Sequence, residues 1–250
     1  MTMPQVVIAQ AIAVAALPTF AAQIARGERP AMRRSLSATL RGVILLSLPA
    51  AAGLILLRMP IVAMLFERGA FDTRSTELVS WALLWYTAGL VSHSVVEITS
   101  RAFYALHDTR TPVFVGASAM GLNVALSLLL ADWFVSLGWP PHGGLALANT
   151  LATSLEMVVL LVLMRRRLDG LEGARIWRGL GQSVFGAVLL GAAVLAWLAL
   201  TAGSSAWLQG IGGVALGAVV YGVVLVLLRV EEVGELLSFL RGKFSADSRS

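Results

Sequence analysis

Long apolar runs separated by short polar connections dominate the chain and predict helices that cross a membrane. Seven such runs can be read, each 16 to 26 residues long, and a membrane-spanning α-helix needs roughly 20 apolar residues. The runs do not alternate strictly between polar and apolar positions and far exceed a barrel strand, so they are predicted as helices. They cover approximately residues 4–24, 42–57, 78–96, 112–137, 143–164, 179–202 and 207–228.

Several prolines mark breaks within these runs. The second run is short, because Arg58-Met59-Pro60 interrupts it before another apolar stretch at 61–66. That stretch is interpreted as interfacial or re-entrant. Pro4, Pro18 and Pro49 predict further kinks, since proline removes a backbone donor within a helix. The fold class predicted overall is an all-α, polytopic membrane bundle of about seven transmembrane helices.

The distribution of basic residues predicts an orientation. Sixteen of the 19 Lys and Arg residues follow the first, third, fifth or seventh run, and basic loops favour the cytoplasmic side. The chain is therefore predicted to start outside and to end in the cytoplasm. The group assigned to the first cytoplasmic loop comprises Arg26, Arg29, Arg33, Arg34 and Arg41.

Composition excludes several other classes of protein. Apolar residues make up 58% of the chain and charged ones 13%, which is too apolar for a soluble domain. The absence of cysteine excludes disulfides, thiolate metal sites and a thiol nucleophile. Nucleic acid is not expected as a partner, because the basic residues adjoin apolar runs. The N-terminus lacks the pattern of a cleaved signal peptide, and apolar positions at 233–244 predict an interfacial helix before a disordered end.

Ionisable residues inside the runs are the first candidates for function, because charge is costly at bilayer depth. Glu156 is the deepest, and it is predicted either to respond to substrate or protons in a cavity or to hydrogen-bond a neighbouring helix. His93, Glu97 and Arg101 recur at helical spacing and form a polar face that could line a hydrophilic vestibule. The alternative is a local Glu97–Arg101 pair beside a hydrogen-bonded histidine.

Other small and polar positions suggest two further sites. Asn123 and Asn149 could supply amide oxygens to a monovalent cation, although hydrogen bonds between helices are their commoner use. Glycines recur on the last two runs and permit either close helix packing or a shallow groove for an isoprenoid or acyl chain. These glycines are Gly186, Gly191, Gly213 and Gly217. Nucleotide-binding, metalloprotease and serine-hydrolase motifs are absent, so an enzyme is disfavoured and neither a metal nor a cofactor is expected.

Two connecting segments resemble one known family. After the second run the chain reads Phe66-Glu67-Arg68-Gly69-Ala70-Phe71, and after the third it reads RAFYALHDTRTP over residues 101–112. These resemble the FxxGxF and RxFYAxxDTxTP patterns of the MurJ (MviN) family of lipid II flippases. Met3-Pro4, Leu17-Pro18 and the segment GLALA at 144–148 are similar to the family at matching separations.

The resemblance implies an inner-membrane protein of fourteen helices within the multidrug/oligosaccharidyl-lipid/polysaccharide exporter superfamily. This chain would supply helices eight to fourteen, with the C-terminal lobe at 1–168, two added helices at 169–229 and a cytoplasmic tail at 230–250. Lipid II, an undecaprenyl-linked peptidoglycan precursor, would bind between this lobe and a missing N-terminal lobe, which brings most of the cavity arginines. The undecaprenyl tail would lie along the last two helices.

The predicted function is therefore translocation of lipid II across the bacterial cytoplasmic membrane by alternating access. Two alternatives stay open. One is a polysaccharide or drug exporter of the same superfamily, and the other is a scaffold that retains the fold and recruits cell-wall enzymes.

Overall fold

The computed structural model describes residues 10–230, and this part of the chain is helical throughout apart from its short connections. The predicted all-α class is confirmed. The helices are α1 (Ala11–Ala25), α2 (Arg29–Leu56), α3 (Arg58–Phe66), α4 (Thr73–Ala88), α5 (Leu90–Ala105), α6 (Arg110–Ser136), α7 (Pro141–Arg167), α8 (Gly173–Leu200) and α9 (Ala206–Leu227). The interfacial helix predicted at 233–244 lies outside the described residues.

Five helices of the described part are long and apolar enough to cross a membrane: α2, α6, α7, α8 and α9. A sixth span is obtained if α4 and α5 are counted together. The remaining predicted span corresponds to α1, whose described apolar portion, Ile12–Ala25, is shorter than a full crossing. That predicted run begins at residue 4, outside the described residues. Each predicted run within residues 10–230 therefore coincides with a helix or a bent helix pair.

Four of the five arginines assigned to the first loop lie inside a helix, so the loop assignment is wrong for Arg29, Arg33, Arg34 and Arg41. Helix α2 begins at Arg29, twelve residues before Arg41. The Arg41 side chain is buried, with 5% of its surface exposed. It packs against α8 at Gly179, where the absence of a side chain leaves room for it. Its Nη2 donates to Oε1 of Gln182 at 3.3 Å. The loop prediction failed because polar residues such as Ser35 and Ser37 continue the helix beyond the apolar run.

Helices α4 and α5 form one bent pair, with an angle of 45° between them at Gly89. The Gly89 amide bonds the Tyr86 carbonyl at 3.1 Å, so the Trp85 carbonyl loses its usual helical donor. The hydroxyl of Thr150 on α7 replaces that donor at 2.6 Å. A methyl group at Gly89 would lie 2.7 Å from the same hydroxyl oxygen. The third predicted run is therefore a helix broken at Gly89. Helix α7 stabilises this break through the hydroxyl of Thr150.

The core lies where α1, α2, α5 and α7 meet. Its largest fully buried side chains include Phe20, Leu36, Phe103 and Leu160. Helix α8 packs along α2, and α9 packs on α8, so the last two helices attach to one side of the bundle. Helix α6 packs mainly on α7 and leaves its other side exposed, with 69% of Phe114 accessible. Such apolar exposure suits a surface in contact with lipid.

Candidate functional site

Three of the predicted site residues, His93, Glu97 and Arg101, lie along α5 after its junction with α4. Glu97 and Arg101 form an ion pair one turn apart, with 2.6 Å between Oε1 and Nη2. Their side chains are 33% and 24% exposed, so the pair borders open space without being free in solvent. The Nε of Arg101 is buried and has no partner among the described residues. Arginine presents five N–H donors, so the guanidinium keeps capacity for an anionic ligand.

His93 lies one turn nearer the bend and turns toward α7. Its Nε2 is 3.0 Å from Oδ1 of Asn149 and 3.5 Å from the hydroxyl of Thr153. A second polar bridge joins Ser92 to Ser154 at 3.0 Å. The histidine therefore helps to fix α5 against α7, while the Glu97–Arg101 pair is the more open part of the same helix.

The two asparagines proposed for a cation site have separate partners. Oδ1 of Asn149 accepts a hydrogen bond from Nε2 of His93, so this amide oxygen is already occupied. On α6, the Ser127 hydroxyl donates to Oδ1 of Asn123 at 3.4 Å. The structure records no direct contact between these two amides, and the described residues contain no group of three or more His, Asp and Glu side chains suited to a metal ion. The cation site stays a prediction.

Glu156 occupies a different place from the other three predicted headgroup residues. It lines a pocket of about 410 Å³ between α6 and α7. The other lining residues are Phe114, Val115, Ser118, Ala119, Leu122, Leu155 and Val159. Residues His93, Glu97 and Arg101 are not part of this lining. Glu156 and the three residues on α5 therefore lie at two separate locations in the described structure.

An apolar groove of about 330 Å³ lies between α2, α3, α8 and α9. Gly213 and Gly217 line it, as the groove prediction requires. The other two glycines serve helix contacts: Gly186 lies against the ring of Tyr221, and Gly191 lies beside Leu56. The four glycines therefore divide between the two interpretations. Gly186 and Gly191 lie at close helix contacts, whereas Gly213 and Gly217 border open apolar space.

Sequence reasoning missed most of the groove wall. The lining also includes Pro49, Gly53, Leu54, Leu57, Ile61, Leu190, Val194 and Tyr221. These residues come from four helices, of which α2 and α3 are distant in sequence from α8 and α9. Pro49 offered one usable signal, because a proline within a helix frees a carbonyl that another side chain must satisfy.

The family-like segment at 66–71 is part of a capped turn between α3 and α4. Oε1 and Oε2 of Glu67 accept hydrogen bonds from the hydroxyls of Thr73 and Thr76, at 3.0 and 2.9 Å. Asp72 is the N-cap of α4 and accepts from the backbone N–H of Ser75 at 2.8 Å. That backbone bond holds the pKa of Asp72 below its ordinary value. These acids therefore shape the turn and start the helix.

Asp108, in the second family-like segment, ties the start of α6 to the end of α7. One carboxylate oxygen accepts from the backbone N–H of Thr111 at 3.1 Å, and the other accepts from the Thr111 hydroxyl at 2.8 Å. The second oxygen also pairs with Nη2 of Arg167 at 2.8 Å. The Thr111 backbone bond is the main cause that lowers the pKa of Asp108 below its usual range. We call this arrangement the Asp108–Arg167 clasp.

Curated relatives share substantial sequence with this chain. A probable lipid II flippase MurJ from Vibrio cholerae is 32% identical over 150 residues, which are 60% of this chain and 27% of the relative. A probable lipid II flippase MurJ from Rhizobium tropici is 33% identical over 165 residues, or 66% of this chain and 30% of the relative. The chain therefore matches less than a third of the length of these relatives.

A solved structure shares the fold. The lipid II flippase MurJ in an inward closed conformation superposes with a TM-score of 0.73 and 21% sequence identity. The superposition covers 91% of this chain and 44% of that protein. The chain thus has the fold of one part of that larger protein, and its apolar helices are those of a multi-pass membrane protein. The family model described as "Lipid II flippase MurJ" matches residues 1–211, and the chain belongs to that family.

Proposed function

We propose that the chain forms the C-terminal portion of a lipid II flippase in the bacterial cytoplasmic membrane. The family match over residues 1–211 carries this proposal. The substrate would be the undecaprenyl-pyrophosphate-linked precursor of peptidoglycan, moved without covalent chemistry. The protein would be a transporter and not an enzyme, and its partners would be membrane lipids and the N-terminal lobe of the same transporter. Residues 1–168 would form the lobe and residues 169–229 the two added helices.

The partly exposed Glu97–Arg101 pair on α5 is the part of the described structure best suited to the charged headgroup. Nη2 of Arg101 donates a hydrogen bond to Glu97, and the guanidinium retains other N–H donors for pyrophosphate oxygens. Glu97 restrains the guanidinium, so less rotamer freedom is lost when an anion binds. His93 would set the angle between α5 and α7 through Asn149. We infer that this face borders the cavity that the N-terminal lobe completes.

The apolar groove is suited to the hydrocarbon tail. Its wall is formed by aliphatic side chains and by the glycines Gly213 and Gly217, which let a chain lie close to the backbone of α9. An isoprenoid binds such a surface by dispersion and by the hydrophobic effect, without polar partners. The headgroup would then cross in a shielded cavity while the tail stays next to lipid.

Alternating access provides the transport cycle in this proposal. The lobes would rock about the cavity and shield a charged headgroup from hydrocarbon, where an unshielded charge is very costly. A broken helix is typical of the moving parts of transporters, and the α4–α5 bend at Gly89 supplies one. The predicted topology places the C-terminus in the cytoplasm, and membrane potential or an ion gradient would give direction.

Complementation tests the proposal in a strain depleted of its own lipid II flippase. The full-length protein should restore growth, and Arg101→Ala should reduce or abolish that rescue at equal membrane abundance. Arg175→Ala is the matched control, because Arg175 is an exposed arginine that also pairs with a glutamate, Glu172. Equal rescue by both variants would remove Arg101 from the headgroup site.

Ligand binding separates the remaining alternatives. Native mass spectrometry of the purified full-length protein should show retention of lipid II in preference to a cationic drug. Preferential retention of the drug would favour an exporter of another substrate. A protein that localises correctly but never restores growth and never binds lipid II would favour a scaffold.

A further inference from the structure

Glu156 is an isolated acid in the middle of a long apolar helix. It lies 15 residues after the start of α7 and 11 before its end, which places it about 22 Å and 16 Å from the two ends along the axis. Its carboxylate approaches α6, with Oε1 3.3 Å from the position that a methyl group at Gly116 would occupy. The side chain therefore sits between the two helices, far from both ends of α7.

No hydrogen bond or ion pair satisfies this carboxyl group within the described structure. Ser118 lines the same pocket, but its hydroxyl donates to the Phe114 carbonyl at 2.8 Å. Among the described residues that line the pocket, Glu156 is the only titratable one. The remainder of the lining is apolar apart from Ser118, so an ionised carboxylate would have neither a counter-charge nor a fixed donor.

The charged groups on neighbouring helices either bond to other residues or lie near helix ends, outside the pocket of Glu156. Helices α4, α5 and α6 pack against α7. On α5, Glu97 and Arg101 pair with each other, and His93 contacts Asn149. On α4 and α6 the charged residues lie near the helix ends, at Arg74, Glu77, Arg110 and Asp132. None of these side chains lines the pocket in the described part of the chain.

A metal ion is a poor fit for this pocket. Hard cations take about six oxygen ligands, whereas the described lining offers one carboxylate and one hydroxyl that is already used as a donor. A proton needs only one carboxylate oxygen, and it removes the charge that makes this position costly. Among simple cations, the proton is therefore the ligand that matches the chemistry of the pocket.

We propose that the pocket between α6 and α7 is a proton-binding site in which Glu156 is a neutral carboxylic acid in the folded protein. The site is distinct from the Glu97–Arg101 pair and shares no lining residue with the apolar groove. It does not depend on the identity of the transported lipid. Release of the proton would place an uncompensated negative charge against α6 at Gly116, so the protonation state controls how closely α6 and α7 can pack.

Dicyclohexylcarbodiimide tests for the bound proton, because this apolar reagent modifies protonated carboxyl groups. The purified full-length protein is treated in detergent at about pH 7.5, where ordinary glutamates are ionised, and adducts are mapped by mass spectrometry. Modification is expected at Glu156 and should decrease as the pH is raised. Glu77, an exposed acid on α4, is the internal control and should stay unmodified. E156Q should lose the adduct at 156.

Thermal stability gives a second measurement that does not depend on access of the reagent. An unfolded glutamate releases its proton above about pH 4.3, whereas the proposed site retains it. The parent protein should therefore lose stability relative to E156Q as the pH rises from about 5 to about 8. E77Q should show no such divergence. The melting temperature of E156Q should be equal to that of the parent at the acidic end and higher at the alkaline end.

Two results would overturn the proposal. If E156Q melts below the parent across this pH range, the carboxylate is ionised and has a stabilising partner. If Glu156 is unmodified while the parent and E156Q melt alike at every pH, no proton is retained at the site. A higher melting temperature for E156Q at alkaline pH supports the proposal even where the reagent fails to reach the pocket.

Discussion

The hydroxyl of Tyr221 on α9 donates a hydrogen bond to the backbone carbonyl of Leu45 on α2, at 2.6 Å. Leu45 lies four residues before Pro49, which has no N–H to offer that carbonyl. The tyrosine therefore replaces the missing helical donor. Ser183 on α8 lies 3.2 Å from the same hydroxyl and 3.3 Å from the Ile44 carbonyl. One buried polar cluster thus joins the proline break in α2 to both of the last two helices.

Tyr221→Phe should destabilise the protein, because it removes the donor and leaves the Leu45 carbonyl unsatisfied in an apolar surrounding. Hydrogen bonds of this kind contribute about 1 kcal/mol in membrane and soluble proteins. The expected result is a lower melting temperature in detergent. Tyr104→Phe is the matched control, since Tyr104 is 41% exposed, and it should change little. Equal melting temperatures for the two variants would mean that the Tyr221 bond contributes no stability.

Gly144→Ala should force α6 and α7 apart. A methyl group there would lie 2.6 Å from the carbonyl carbon of Leu130 and 2.8 Å from the amide nitrogen of Ala131. Backbone atoms cannot turn away as a flexible side chain can, so a cost of about 1–3 kcal/mol is expected. Thermal unfolding measures it. Gly121→Ala on α6 is the control, because nothing lies within 4 Å of its added methyl group; a similar loss there would refute the packing explanation.

Thr150→Val should weaken the bend between α4 and α5. The change keeps the shape of the side chain but removes the hydroxyl that satisfies the Trp85 carbonyl. Amide hydrogen exchange should accelerate around Gly89, and stability should fall by about 1 kcal/mol. Thr39→Val removes a hydroxyl that bonds a carbonyl within its own helix, at Ser35, and should have a smaller effect. Unchanged exchange near Gly89 in the Thr150 variant would show that the bend does not need this bond.

Asp108→Ala should loosen the Asp108–Arg167 clasp. Loss of the bonds from Thr111 removes a helix-capping contribution of about 1 kcal/mol, while the Arg167 pair adds less because that arginine is largely exposed. Thermal unfolding in detergent should show the loss at neutral pH. Asp132→Ala is the control, since Asp132 is exposed. If both variants melt alike, the clasp does not stabilise the fold.

The effect of Asp108→Ala should also depend on pH. The folded protein holds the pKa of Asp108 below its ordinary value of 3.8. Its stabilising contribution is therefore complete above that value and is lost as the pH falls through the lower folded pKa. The melting temperatures of the parent and the Asp108 variant should converge in strong acid. A difference that persists there would assign the stabilisation to packing instead of charge.

Local features of the sequence determined the helices and several of their ends. Hydropathy predicted each apolar run because burial in lipid depends on composition over about 20 residues. The cap formed by Asp108 and Thr111 is also local, since the two residues are three positions apart. The break near Pro60 followed from the proline itself. These features need no information about which helices are neighbours.

The sequence predicted candidate site residues less well where their role depends on which neighbouring helix each side chain faces. Asn149, Thr153 and Glu156 fall on one side of α7 by helical periodicity. The structure nevertheless directs Asn149 and Thr153 to His93 on α5, and Glu156 to the pocket beside α6. A side chain at the boundary between two neighbouring helices can turn either way, so residue spacing alone could not show that Asn149 and Thr153 face α5 while Glu156 faces α6.

The sequence by itself determined an all-helical membrane bundle and the family to which it belongs. Only the tertiary structure decided that Arg41 is buried against α8, that Tyr221 satisfies a carbonyl 176 residues away, and that four helices form the apolar groove. The physical reason is that hydropathy and capping act over neighbouring residues, whereas pockets and buried polar bonds depend on which helix faces pack together. That choice is made by contacts between segments far apart in the chain.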